Sequence, residues 1–209
     1  MLIAAADSPG VVRLALSGGH GPKPVLERLA VHSGIPWSRI EIFFADERAV
    51  PPDNEESNFH LVMSSLVSRL SLPPHAVHRM AADHSDIERA AREYEDLLPD
   101  KFDILVLGIG DDGHTASLFP GHAEVALTTR RVAPATSPRP PYTRMTITPP
   151  MITGARIRVM LASGENKAPA VARACEGPLA IESCPAQLAR DGTWILDGPA
   201  ASRLRVVRR

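Results

Sequence analysis

Two carboxylates and a histidine lie close together in residues 108–120, which read GIGDDGHTASLFP. Asp111 and Asp112 stand just before His114, directly after an apolar run at 104–107. A histidine can take a proton from water near neutral pH and return it to a leaving group. A carboxylate two residues earlier can fix the tautomer of the histidine or orient a substrate. The pattern predicts that His114 is a general base and acid, with Asp112 beside it.

The same three side chains could instead bind a metal ion. Paired carboxylates suit magnesium or calcium, and Asp111, Asp112 and His114 all carry donor atoms. No further cluster of ligand-type residues accompanies them in the sequence. We therefore favour acid–base chemistry with no metal and no cofactor, and keep a metal site as the alternative.

A glycine-rich turn, SGGHG at residues 17–21, separates a candidate strand from a candidate helix. Glycine lets backbone N–H groups approach an anion, and the start of a helix offers more of them. The turn lacks the Gly-Lys-Ser/Thr of a P-loop and could simply be a tight connection. Arg48 and Lys167 follow other candidate strands and are the cations best placed to neutralise a phosphate. Together, the turn and the cations predict a phosphate site.

Strand-like and helix-like segments alternate along the chain and would position these residues. We expect strands at 12–16, 40–44, 104–107, 143–148, 156–161 and 193–196, and helices at 22–31, 57–70, 87–98 and 165–174. This alternation predicts βαβ units and a largely parallel sheet. We interpret 46–48 as the end of the second strand and the proline-rich stretch 134–141 as a loop.

Ligands of open parallel sheets bind beyond the carboxyl ends of the strands. The most polar and glycine-rich segments follow such ends, at 17–19, 46–48, 108–114 and 163–167. We expect these four segments to converge on one crevice.

Length and composition exclude several classes of protein. The 209 residues fit one domain spanning 1–209. With 23 basic and 24 acidic residues, the formal charge of −1 does not favour binding to nucleic acid or to an anionic membrane. We find no apolar run near the ~20 residues of a membrane span and no signal peptide. Cys175 and Cys184 form no Cys-x-x-Cys motif, and a reducing cytoplasm fits them.

Six motifs lie along the chain at 16–19 (LSGG), 46–51 (DERAVP), 57–58 (SN), 107–121 (LGIGDDGHTASLFPG), 144–148 (RMTIT) and 164–168 (GENKA). In sequence and in order they resemble the family that contains 6-phosphogluconolactonases and glucosamine-6-phosphate deaminases. The sequence ASLFP at 116–120 resembles the lactonase branch, whereas the deaminase branch has an Asn-Glu-Pro type of sequence there.

The resemblance implies an α/β fold, with a single-domain, mostly parallel open sheet flanked by helices. This fold is Rossmann-like and of the sugar-phosphate isomerase type. It also implies metal-free hydrolysis of 6-phospho-D-glucono-1,5-lactone to 6-phospho-D-gluconate in the oxidative pentose phosphate pathway. His114 would activate water and then protonate the departing ring oxygen, and Asp112 would orient His114 or the substrate.

The resemblance also implies which residues bind the phosphate. These residues would be Ser17, Gly18, Gly19, Arg48 and Lys167, and Arg144 is a further possible substrate contact.

The chain departs from the family pattern at two places. His20 stands where the family usually has Ser or Thr, so it is a possible substrate contact through its imidazole. Only 16 residues precede Ser17, so we expect that the first βα unit of the family is lacking.

Two alternatives to the lactonase remain at this point. They are a deaminase-like isomerase acting on an amino-sugar phosphate and a sugar-phosphate-sensing module without catalysis. For the lactonase, we expect a small-molecule lactone as the partner, no nucleic acid or membrane, and a monomer or weak homodimer.

Overall fold

The computed structural model describes residues 1–3, 10–19, 22–70, 72–73 and 76–205. The strands are β1 (Val12–Leu16), β2 (Ile40–Phe44), β3 (Asp46–Arg48), β4 (Ile104–Gly108), β5 (Val132–Thr136), β6 (Thr143–Ile147), β7 (Ile157–Ala162) and β8 (Thr193–Leu196). The α-helices are α1 (Lys23–Ala30), α2 (Asn58–Ser65), α3 (Ile87–Leu97), α4 (Pro149–Gly154), α5 (Ala168–Glu176) and α6 (Gly198–Ala201). His20 and Gly21 lie outside the described residues.

A parallel sheet of five strands forms the centre of the protein, in the order β2-β1-β4-β7-β8. Its middle strands are mostly apolar, and Leu14, Leu16, Leu105 and Leu107 are buried. Helices flank this sheet, as the alternating pattern predicts. The predicted bounds of β1, β2 and β8 are those of the structure.

A second sheet, of three antiparallel strands, was not predicted. Its order is β3-β6-β5. The interpretation of 46–48 as a strand end is therefore wrong, since these residues form β3 and pair with β6. The interpretation of 134–141 as a loop is wrong at its start, because Pro134 lies within β5. Proline is tolerated there because β5 is an edge strand.

Two predicted helices are shorter or less regular than expected. The α-helical part of 57–70 is α2, and a 3₁₀ turn at Val67–Arg69 follows it. The predicted helix at 165–174 begins as a 3₁₀ turn at Glu165–Lys167 and continues as α5. None of the helices in the described ranges is long and apolar enough to cross a bilayer.

Glu47 joins β3 to the first turn of α2. Glu47 is only 2% exposed. Its carboxylate accepts hydrogen bonds from the backbone N–H groups of Arg48, Asn58 and Phe59, at 2.7, 2.8 and 2.8 Å. It also accepts one from Ser57 Oγ at 3.0 Å. Burial raises the pKa of Glu47 above its usual value, against the opposing effect of these hydrogen bonds. The side chain satisfies donors that the start of a helix would otherwise leave unpaired.

Glu47→Ala should lower the free energy of unfolding by about 3 kcal/mol, because several buried donors lose their acceptor. Urea denaturation followed by circular dichroism would measure the change. Glu55→Ala is a matched control, since Glu55 is exposed and its removal should change stability by less than about 0.5 kcal/mol. Equal effects of the two substitutions would contradict the structural role of Glu47.

Candidate active site

A cavity of about 540 Å³ lies at the carboxyl ends of β1, β4 and β7, with β3 and β6 on one side. Residues from all four predicted segments line this cavity, namely 17–19, 46–48, 108–114 and 163–167. The four segments thus converge on one crevice as expected, although 46–48 is the strand β3 and not a strand end. The parallel sheet brings together residues that are up to 150 positions apart in the sequence.

His114 and Asp112 form a hydrogen-bonded pair on the cavity wall. Nδ1 of His114 lies 2.6 Å from Oδ1 of Asp112, and the backbone N–H of His114 donates to the same oxygen at 3.0 Å. The imidazole packs against the ring of Phe119 with 4.8 Å between centroids. Gly110 makes room for it, since a Cβ at position 110 would lie 2.1 Å from Nδ1. The arrangement leaves Nε2 as the ring nitrogen able to act on a substrate.

The charge state of Asp112 follows from these contacts. Partial burial opposes its ionisation, but the hydrogen bonds from the ring and the backbone of His114 outweigh burial and lower the pKa of Asp112 to about 2. The carboxylate is therefore charged at neutral pH and favours the tautomer of His114 with a proton on Nδ1.

Hydrogen bonds from two other segments hold the loop that carries this pair. The guanidinium of Arg173 donates to the carbonyl of Asp112, and the N–H of Ala186 donates to the carbonyl of Gly113 at 3.0 Å. Gly113 has a φ of +94°, a conformation that favours glycine. Ala116, further along, has a φ of +48°, which is uncommon for a residue with a side chain.

The glycine turn lies against the start of α2. A Cβ at Gly18 would lie 2.0 Å from Oδ1 of Asn58, so only glycine permits this approach. The Asn58 amide donates to the carbonyl of Asp46 at 2.8 Å and to its carboxylate at 3.2 Å. Among the described residues, Ser17 Oγ and Asn58 Oδ1 are buried without a hydrogen-bond partner. Ser17 also lines the cavity.

Two arginines lie side by side on the cavity wall. Arg48 of β3 is directly opposite Arg144 of β6 in the antiparallel register. Arg144 is 7% exposed, and its Nε donates to the carbonyl of Pro141 at 2.8 Å. Burial, followed by the charge of Arg48, lowers the pKa of Arg144. Two neighbouring guanidiniums repel each other, and a bound anion would remove that repulsion.

Arg48 has a carboxylate nearby, whereas Arg144 has none within ion-pair distance in the described part of the chain. Arg48 donates to the carbonyl of Glu56, and its guanidinium lies 3.8 Å from the Glu56 carboxylate.

Lys167 follows β7 in the chain and lines the same cavity. Its Nζ is 2.6 Å from Oδ1 of Asp111. The Asn166 amide donates to the same oxygen at 3.1 Å. The hydrogen bond from Lys167 lowers the pKa of Asp111.

The alternative of a metal bound by Asp111, Asp112 and His114 finds no support in this geometry. Asp111 bonds to Lys167, and Asp112 bonds to His114. Within the described ranges, no group of three or more His, Cys, Asp or Glu side chains is arranged to hold a metal ion.

The model of the family described as glucosamine-6-phosphate isomerases/6-phosphogluconolactonase matches residues 1–196. The chain belongs to this family.

Individual members of the family are similar over nearly the whole chain. The 6-phosphogluconolactonase of Streptomyces coelicolor is 38% identical, covering 97% of this chain and 86% of that protein. The 6-phosphogluconolactonase of Mycobacterium tuberculosis is 35% identical, covering 96% and 88%. The crystal structure of 6-phosphogluconolactonase from Thermotoga maritima superposes with a TM-score of 0.82, at 29% identity, over 92% of this chain and 88% of that one.

The polar residues of the cavity that were not singled out as ligands from the sequence include Asp46, Ser117 and Arg139. Asp46 is buried and accepts from Ser117 Oγ at 2.8 Å, a contact between positions 71 apart. Arg139 lines the cavity from the proline-rich loop. The family motifs contain Asp46 and Ser117 and could have indicated them, whereas no pattern in the sequence marks Arg139.

Asp112→Asn should make the free energy of unfolding less dependent on pH between pH 2 and pH 6. The pKa of Asp112 is about 2 in the folded protein and ~3.9 in an unfolded chain. The carboxylate therefore stabilises the fold above about pH 4, and this contribution is lost as the pH falls towards 2. Urea denaturation from pH 2 to pH 6 would show the stability difference between wild type and variant shrinking as the pH falls.

The exposed Asp100 supplies a control for this measurement. Asp100→Asn should give a small difference at every pH. A wild-type minus Asp112→Asn difference that is as large near pH 2 as at pH 6 would contradict the interpretation.

Proposed function

We propose that this chain hydrolyses 6-phospho-D-glucono-1,5-lactone to 6-phospho-D-gluconate, the lactone-opening step of the oxidative pentose phosphate pathway. The observation that carries this proposal is the His114–Asp112 pair, at 2.6 Å, in the same cavity as the adjacent Arg48 and Arg144. Acid–base catalysis and anion binding are the two things that a phosphorylated lactone requires. The names of the similar family members support the same reaction.

His114 acts as the general base in this proposal. With Nδ1 donating to Asp112, Nε2 accepts a proton from water while the water oxygen forms a bond to C1 of the lactone. The tetrahedral intermediate then collapses, the bond between C1 and the ring oxygen breaks, and His114 returns the proton to that oxygen. Asp112 holds the tautomer and stabilises the transient imidazolium, as in other carboxylate–histidine pairs.

The phosphate binds at the glycine turn and the neighbouring cations. Ser17, Gly18 and Gly19 offer a hydroxyl and backbone N–H groups, and the buried hydroxyl of Ser17 lacks a partner among the described residues. Arg48 supplies a planar fork that suits phosphate oxygens, and Lys167 supplies a compact charge.

Arg144 joins this phosphate site. Support comes from its position beside Arg48 and from its burial. Binding at a position remote from C1 holds the lactone against His114, so that the chemical step becomes effectively intramolecular.

We also propose that residues 1–209 act as one domain, as a monomer or weak homodimer in the cytoplasm. The described lining residues run from Ser17 to Lys167 within one chain, which favours a site that needs no second copy. Cys175 and Cys184 are free thiols, which fits a reducing compartment.

His114→Ala should lower kcat for lactone hydrolysis by about 10²–10⁴-fold, because water loses its base. Since the anion site is intact in the variant, KM should change much less. The assay is spectrophotometric, with the lactone generated in situ and its spontaneous hydrolysis subtracted. His122→Ala is the matched control, because His122 also packs against Phe119, at 5.7 Å, but does not line the cavity. An unchanged kcat in His114→Ala would remove His114 from the catalytic role.

The proposed function itself is tested with the wild-type chain in the presence of a chelator. We expect enzyme-dependent lactone hydrolysis and no ammonia release from glucosamine 6-phosphate. Ammonia release would favour a deaminase instead. Thermal stabilisation by sugar phosphates without turnover of either compound would favour a sensing module.

A further inference from the structure

Asp111 is the charged residue of the catalytic loop that the proposed mechanism does not use. It is next to Asp112 in sequence, yet it turns away from His114 and accepts hydrogen bonds from Lys167 and Asn166. Its side chain is 43% exposed and lines the cavity. A carboxylate in a phosphate site weakens the binding of phosphate, because like charges repel. Its presence in this cavity therefore needs an explanation.

Lys167 does not need Asp111 to hold its place. The backbone N–H of Lys167 donates to the carbonyl of Gly164 at 3.1 Å. Gly164, with a φ of +98°, donates in turn to the carboxylate of Asp197 at 3.0 Å. The turn at the end of β7 therefore fixes the base of the lysine side chain, and Asp111 contacts only its charged tip.

The contact neutralises the lysine in the ligand-free protein. At 2.6 Å, the Asp111 carboxylate occupies one of the three N–H donors of the ammonium group and balances its charge. The hydrogen bond from Lys167 lowers the pKa of Asp111, so this balance persists through the neutral range. A phosphate that binds Lys167 must share it with a carboxylate that is already bound.

We propose that Asp111 competes with the substrate phosphate for Lys167. This competition weakens the affinity of the site for phosphate and so allows the product to leave. This inference rests on the proposed function and adds an affinity-determining residue to it. The product carries the phosphate and a new carboxylate, so it is more anionic than the lactone. A site with fully available cations would retain the product more strongly than the substrate, and the counter-charge at Asp111 reduces that retention.

Asp111 could alternatively position Lys167, and this role predicts the opposite change in phosphate affinity when Asp111 is replaced. If Asp111 held the lysine in a binding conformation, its loss would weaken phosphate binding. If Asp111 competes for the lysine, neutralising it would strengthen phosphate binding. The direction of the change in affinity therefore distinguishes the two roles.

The test is isothermal titration of inorganic phosphate and of 6-phosphogluconate into wild type and Asp111→Asn at constant ionic strength. The asparagine keeps an oxygen that can accept from Lys167 and loses only the charge. We expect the Kd of both ligands to fall by about tenfold, with an equal fall in the product-inhibition constant. Asp100→Asn, which removes an exposed charge outside the cavity, should leave both constants within about twofold.

A second arm repeats the substitution in a Lys167→Met background. If Asp111 acts by competing for Lys167, the gain in affinity should largely disappear there. A full gain in that background would overturn the competition for Lys167, since the carboxylate would then act on the phosphate by itself.

Failure of the inference and failure of the proposed function give different results. Weaker or unchanged binding in Asp111→Asn, with lactone hydrolysis intact in wild type, overturns only the inference. Absence of both lactone hydrolysis and 6-phosphogluconate binding in wild type overturns both. Thermal unfolding of each variant, followed by circular dichroism, confirms that the folded proteins are compared.

Discussion

The antiparallel pairing of β3 with β6 is the constraint on which the candidate site depends. Only three residues of β3 take part, and successive side chains of a strand point to opposite faces. Asp46 and Arg48 therefore point to one face and line the cavity, whereas Glu47 points to the other and binds the start of α2. One short strand thus supplies two cavity residues and the attachment of the helix that supports the glycine turn.

The electrostatics of the cavity are local rather than global. The chain has a formal charge of −1, and most of the charges around the cavity are paired with each other: Lys167 with Asp111, and Arg48 with Glu56. Arg144 is buried next to another arginine and, among the described residues, has no carboxylate at ion-pair distance. The attraction for an anion therefore comes from a few side chains of the cavity rather than from the charge of the whole chain.

The sequence predicted the parallel sheet and the convergence of its strand ends because both depend on local patterns. Apolar runs mark the strands β1, β2 and β4, and a parallel sheet places their carboxyl ends at one edge. The second sheet could not be predicted in the same way. Its strand β3 reads Asp-Glu-Arg, which has no strand propensity, and its partner lies about 100 positions away. The proximity of Arg48 to Arg144 depends on that pairing, so the sequence pattern did not predict it.

Pro134 has a consequence for the behaviour of the protein at high concentration. The small sheet ends at β5, and an unpaired edge strand is a template on which a second chain can add a strand. Proline has no backbone N–H, so a chain approaching β5 at that point finds no donor for a hydrogen bond. The proline that the sequence pattern placed in a loop thus leaves one fewer donor on the edge of the sheet that carries both arginines.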